Sequence, residues 1–399
     1  KPISQGGGLF VDKTNLYNVE VQYDLSQVTA PFVNILVGGN YKKYVLNSEG
    51  TLFADSTGKI GISEVGAYIQ ASKKIVNAIN IIASARYDKN ENFDGRFTPR
   101  ISAVITVAKD NNLRLTYQQA YRFGSTQQQY INLRVGGGTA LIGGVQSFSD
   151  FYKFKTNPVY EIDASLFAGS PQVANLPKFK AETVNSFEAG YKGLVLNQKL
   201  LIDLYGFYGI YKDFIARKLV VQTVNNDITV LTNPATVRAN LNDPAKTTTY
   251  SVPTNVKADV TTYGFGIGLN YSLPANFALG LNVTSDHLDN VPDGFIAAFN
   301  APEYRIGGSI SNTGFGFQKR YGFNFTYRWQ DDVNYQGDFA NGLVPAYQTL
   351  DGQVSYKFPA QNVLLKLGAT NLLNSYYRNG FGNVTIGGLY YVSIGYNIF

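Results

Sequence analysis

The only histidine in the chain is His287, and it sits in "SDHLDN" with Ser285 and Asp286 just before it. Serine, histidine and a carboxylate are the parts of a nucleophilic triad, in which the base takes a proton from the hydroxyl and the acid orients the base. Here they are consecutive. If the segment is a strand, neighbouring side chains point to opposite faces, so the three cannot converge as they stand. A hydrolase would need other strands to bring a serine and an acid to His287. A second set of groups lies in "DKNENFDG" (88–95), where Asp88, Asn90, Asn92 and Asp94 recur at every second position, as oxygen ligands do in a calcium loop. Phe93 stands where such a loop needs glycine, and Pro99 where it needs glutamate, so a solvated hairpin tip is the competing reading. The glycines 136–138 are followed by no Gly-Lys-Ser/Thr, so they are no phosphate loop. Cysteine is absent, which excludes disulfides, thiolate metal sites and cysteine nucleophiles. No cofactor is expected.

The most suggestive polar groups are arranged differently. In "NLRLTYQQAYR", Arg114, Thr116, Gln118 and Arg122 share one phase of a two-residue period, opposite Leu113, Leu115 and Tyr117. Beyond them, "STQQQYINLRVGGGTALIGG" (125–144) carries Gln128, Tyr130 and Arg134. These residue types bind by hydrogen bonding, charge and ring stacking rather than by bond-making.

The elements that hold them follow from the same period. "KRYGFNFTYRWQ" places Tyr321, Phe323, Phe325, Tyr327 and Trp329 on one face, and Arg320, Asn324, Thr326 and Arg328 on the other. "TTYGFGIGLNYS" and "TLDGQVSYKF" alternate in the same way. Sustained alternation means strands with one apolar and one polar face. The expected strands are 16–27, 34–46, 60–73, 78–90, 97–108, 112–123, 182–195, 199–216, 258–273, 278–289, 302–313, 319–333, 348–359, 363–374 and 387–399. They are longer than the ~5–6 residues usual in sandwiches and suit a tilted membrane crossing of ~9–11. Short turns at 108–112, 196–199, 273–277, 313–317 and 359–362 alternate with long links near 124–181, 217–258, 289–302, 334–348 and 375–387. Short turns at one rim and long loops at the other predict an all-β fold, a transmembrane antiparallel β-barrel with about 15 strands in this chain. Arg114, Thr116, Gln118 and Arg122 would then face the lumen, and Gln128, Tyr130 and Arg134 would lie in an outer loop.

Composition agrees. Only 16% of residues are charged, while 29 Tyr and 26 Phe supply interfacial girdles. The net charge of +6 is spread without a Lys/Arg block, which argues against nucleic acid. No run approaches the ~20 apolar residues of a membrane helix. The last residues, "GGLYYVSIGYNIF", alternate to the end, with Tyr390, Val392, Ile394, Tyr396 and Ile398 toward lipid and Ser393, Gly395 and Asn397 toward the lumen. A closed barrel must pair such a last strand with its first. The chain starts at Lys1, contains no Met and gives an odd strand count, which reads as a processed or partial chain.

Three segments resemble TonB-dependent outer-membrane receptors, in that family's order. They are "FTPRISAVITVAKDNNLRLTYQQAYRFGSTQQQYINL", "LPKFKAETVNSFEAGYKG" and "LKLGATNLLNSYYRNGFG" with "GGLYYVSIGYNIF". The resemblance implies that residues 1–399 are the C-terminal portion of a barrel of about 22 strands. About seven strands, a plug domain and a TonB box would lie upstream of Lys1. In the family's usual assembly signal the terminal aromatic faces lipid; here that register falls on Ile398 and not on Phe399. The resemblance further implies a Gram-negative outer-membrane location and active import of a scarce, bulky nutrient such as an iron chelate, vitamin, glycan or peptide. The energy would come from the TonB complex, a surface lipoprotein lid is an optional partner, and no catalysis is expected. Arg114, Gln118, Arg122, Gln128, Tyr130 and Arg134 are the candidate substrate contacts, with plug contact or loop packing as their alternatives. A passive porin, a surface adhesin and an outer-membrane hydrolase are the rival functions.

Overall fold

The computed structural model describes residues 8–135, 138–337 and 340–396. Gly136 and Gly137 of the glycine run, and Asn397, Ile398 and Phe399 at the end, lie outside them.

Fifteen strands form one antiparallel sheet, each paired with the next in chain order. They are β1 (Asn15–Asp24), β2 (Asn34–Leu46), β3 (Ile60–Val76), β4 (Ile79–Asn90), β5 (Arg96–Ala108), β6 (Asn111–Arg122), β10 (Glu182–Val195), β11 (Leu200–Lys212), β14 (Val260–Ser272), β15 (Phe277–Asp289), β17 (Tyr304–Phe315), β18 (Tyr321–Gln330), β21 (Tyr347–Phe358), β22 (Val363–Thr370) and β23 (Leu389–Tyr396). Every strand expected from the alternation is present. The ends differ most at two strands: 199–216 closes at Lys212 and 363–374 at Thr370. β1 and β23 are the two edges, so these strands make an open wall, and the partner expected for the last strand is not β1.

The register runs one polar row after another across the wall. Ser84, Arg100, Gln118, Ser186 and Gly209 are successive partners from β4 to β11. On the opposite face the row is Ala83, Ile101, Tyr117, Phe187, Tyr208, Tyr263 and His287. Directly paired residues share a face, so a single phase error would invert a whole strand.

The packed core lies beyond one end of the wall, in the long connections. β7 (Asn132–Arg134), β8 (Thr139–Ile142), β9 (Val159–Glu161), β12 (Ile215–Thr223), β13 (Thr247–Asn255) and β16 (Phe295–Ile296) build a second sheet there. β8 runs parallel to β13. A two-stranded ribbon, β19 (Val333–Tyr335) with β20 (Gly342–Val344), completes the strands of the described residues. Leu133 and Leu141 of the cap pack with Leu46 and Ile62 at the ends of β2 and β3, joining the two sheets. The wall is one layer thick and buries almost nothing itself: Val392 and Ile394 of β23 are 68% and 71% exposed, as befits residues whose solvent is lipid. No helix among the described residues is long and apolar enough to cross a membrane.

Candidate functional site

The polar face of β2–β6 meets the cap in a cavity of about 580 Å³. Tyr44, Glu64, Arg86, Arg122, Ser125 and Gln129 are among its walls. Two arginines dominate it, and each is held by a buried carboxylate. Arg86 grips Asp88 with two bonds, Nε to Oδ2 at 2.7 Å and Nη2 to Oδ1 at 2.6 Å. Arg122 donates from Nε to Glu182 Oε1 at 2.7 Å. Asp88 and Glu182 are each 7% exposed, while the side chains of Arg86, whose Nη2 also donates to Asn40 Oδ1, and Arg122 stay 35% and 50% exposed and line the cavity. Ion pairs of this kind fix the planar donor fork and leave its remaining N–H groups aimed at solvent or ligand. Glu64 accepts from Asn90 Nδ2 at 2.8 Å, so both signs of charge reach the space.

The sequence-derived candidates fall into three places. Arg122 and Gln128 come together, Nη1 to Oε1 at 3.4 Å. Gln128 is otherwise engaged in a capping box: its side chain accepts from the Ser125 N–H, and its own N–H donates to Ser125 Oγ, which starts the short helix Thr126–Tyr130. Tyr130 is tied to the hairpin tip by a 3.2 Å bond from its hydroxyl to Asn92 Oδ1 and packs between two apolar clusters of the cap. Burial raises its phenol above the ordinary tyrosine pKa. Arg114 and Gln118 lie farther along the wall: Arg114 pairs with Glu188, and Gln118 stands opposite Arg100. Between them Ser102 Oγ and Thr116 Oγ1 are 3.0 Å apart. Arg134 is separate. It is exposed, and its charge is felt by Tyr152 and Tyr250 of the cap, where it opposes the upward push of burial on both phenols.

Sequence reading missed Arg86, Glu182 and Arg100. Arg86 and Asp88 are two apart in one strand phase, a signal that was visible; Glu182 lies 60 residues from Arg122 and carried none. The calcium-like spacing is used otherwise. Asp88 holds Arg86, Asn90 holds Glu64, Asn92 donates to Gln129 Oε1 at 2.7 Å, and Phe93 is buried against Phe123 and Phe179. No cluster of three metal-ligating acids or histidines forms among the described residues. His287 stacks on Tyr263 at 4.8 Å on the apolar face, with Nε2 3.5 Å from Glu303 Oε1. Asp286 turns to the other face toward Arg305, so no triad assembles.

Comparison with known proteins gives this wall a family. Residues 4–372 match the model of the TonB dependent receptor-like β-barrel, and the chain belongs to that family. No curated protein matches. The siderophore receptor PirA from Acinetobacter baumannii is similar in structure, with a TM-score of 0.62 and 16% identity over 96% of this chain and 54% of that one. A mutant of the ferric enterobactin receptor PfeA from Pseudomonas aeruginosa gives 0.65 and 13%, over 96% and 53%. The FrpB iron transporter from Neisseria meningitidis gives 0.62 and 12%, over 96% and 55%. The chain thus spans about half the length of these structures. At such identities the likeness establishes the fold. Family membership makes the chain part of an outer-membrane receptor barrel and not an enzyme.

Proposed function

We propose that the chain is the C-terminal portion of the barrel of a TonB-energised importer, and that it contributes the outer binding mouth and much of the pore wall for a bulky nutrient. One observation carries this reading. A folded cap of loops sits at the end of a polar, arginine-lined wall and shares a cavity with it, in a family named for dependence on TonB. Ligand would enter between cap and wall, meet the side chains of Arg86 and Arg122, and pass inward when TonB pulls on a segment filling the lumen. Arg114 and Gln118 would face that segment or the ligand's path.

Uptake by cells carrying the full-length protein tests this. Transport should require both TonB and the proton-motive force. Energy-independent solute flux in liposome swelling would instead indicate a passive porin.

A further inference from the structure

A groove of about 940 Å³ lies on the lipid-facing side of the wall. It runs across the strands between two rows of paired residues. The row from Ile101 to His287 forms one bank, with the rings of Tyr117, Phe187, Tyr208 and Tyr263 standing along it. The other row is Ala103, Leu115, Ala189, Gly206, Phe265 and Ser285, and its small side chains leave the floor low. Gly206 leaves open space: a Cβ there would meet nothing closer than the Gly264 carbonyl oxygen at 3.7 Å. From Ala103 on β5 to Ser285 on β15 the row crosses β6, β10, β11 and β14, a length of ~24 Å at the usual strand spacing. A smaller hollow of about 450 Å³ shares Leu115, Ala189, Gly206 and Phe265 with the groove and widens it there.

The groove has an apolar end and a polar end. Ile81, Ile101 and Ala103 line the first. Ser285, His287 and Tyr304 line the second, close to where β15 runs out at Asp289 into a long loop. His287 Nε2 lies 3.5 Å from Glu303 Oε1 there. Ser285 is 2% exposed, and its Oγ has no hydrogen-bond partner. Its register partners on that face are Phe265 and Tyr304, so rings flank it on both sides. Hydrocarbon supplies no water to such a hydroxyl, and leaving it unpaired is costly unless a ligand brings an acceptor.

We propose that the groove is a discrete seat for one diacyl membrane lipid. One acyl chain lies along it, the adjoining hollow takes part of the second, and the ester carbonyl at the head of the first chain accepts from Ser285 Oγ. Lipid coats the whole apolar face of such a wall, but here the surface has depth, length and a single polar end, in the order in which a lipid carries them. The hydroxyl is shut off from water in this state, so the carbonyl reaches it as the Tyr304 ring, 37% exposed, leans aside. A second copy of the chain fits less well, because its own apolar face is a broad sheet of rings and the groove is narrow. The inference rests on the lipid face of the wall and not on what the barrel carries.

The full-length protein is purified in detergent, washed free of lipid and titrated with dioleoyl phosphatidylethanolamine in mixed micelles. Bound lipid is counted by native mass spectrometry. Wild type should hold one lipid tightly. G206L and A189L, which fill the groove, should weaken it about tenfold or more. V354L, exposed on the same face but outside the groove, should bind as wild type does. Heat-modifiable migration shows that each barrel is folded. The diether analogue has the chains but no ester carbonyl; it should bind wild type about threefold or more weakly, and S285A should bind ester and ether alike. No lipid retained by wild type, full retention by G206L and A189L, or equal binding of ester and ether lipids by wild type would each overturn the proposal. A wild-type dimer that G206L dissociates would also overturn it, by giving the groove to a second copy.

Discussion

Glu182 joins three elements through one carboxylate: Oε1 accepts from Arg122 Nε at 2.7 Å, and Oε2 accepts the Ile215 backbone N–H at 2.8 Å. Arg122 ends a wall strand, Glu182 begins the next one, and Ile215 begins the cap sheet. The carboxylate is therefore a tie between wall and cap. Glu182→Ala would leave the Ile215 N–H buried without an acceptor, a cost of about 1–3 kcal/mol. Arg122 is half exposed and can rehydrate, so the lost ion pair adds little. The cap should open locally while the wall stays folded, and protease cutting within 215–255 should accelerate about tenfold or more. Glu182→Gln, which keeps one acceptor, should recover part of the protection. Unchanged cutting in Glu182→Ala would mean that the tie contributes nothing.

Tyr250 gives the cap an alkaline limit. Its ring is buried against Tyr152 and Phe154, and its hydroxyl donates to Gln222 Oε1 at 3.2 Å. Burial, helped by Tyr152, pushes the phenol up to about 12, against about 10 for an exposed tyrosine. The raised pKa means that the neutral form is favoured by folding. The associated stability is complete below pH ~10 and is lost as pH rises from there toward 12. Proteolysis of the cap should rise over that interval, in step with delayed phenolate absorbance. In Tyr250→Phe that part of the alkaline loss should disappear; an identical pH profile in the variant would assign it to other groups.

The wall was legible because a one-layer sheet between two solvents must alternate at every position. Lipid selects one phase and a polar interior the other, so "YGFNFTYRW" reads as a strand without further context. The cap was not legible for the opposite reason. Most of β13 is buried, from Tyr250 through Asn255, so both phases face protein and the alternation vanishes. In the same sheet β7, β8 and β9 are three or four residues long, too short for any period to show. The site divides in the same way. Arg122 and Gln118 declare their face by strand phase, and so does Arg86, two residues from Asp88, whereas Glu182 reaches Arg122 only through the pairing of strands distant in sequence.

Glycines on the polar face allow aromatic rings to lie across the wall. Phe207 is paired with Gly264, and Tyr205 with Gly266. A Cβ at Gly264 would meet the Phe207 ring at 2.9 Å and would also run into the Ser285 carbonyl oxygen. Gly264→Ala should therefore cost about 1–3 kcal/mol of overpacking. Gly308 has nothing within 4 Å of the same position, and Gly308→Ala should be tolerated. Heat-modifiable folding after detergent refolding compares the two. Equal yields would show that the strands shift freely at Gly264.

Arg114 and Glu188 separate a structural from a functional use of the wall. Their side chains are 51% and 29% exposed, so the pair contributes no more than about 0.2–1 kcal/mol to folding. The double variant R114A/E188A should keep the melting behaviour of the parent barrel. If the pair faces a moving lumen segment or the passing ligand, uptake by the full-length variant should nevertheless fall about tenfold, equivalent to ~1.4 kcal/mol. Restoring the pair in swapped order, R114E/E188R, refines the result. Recovery would place the contact within the wall itself, whereas continued loss would mean that a third charged group reads the orientation of the pair. Wild-type uptake in R114A/E188A would reduce both residues to a solvated stretch of polar wall.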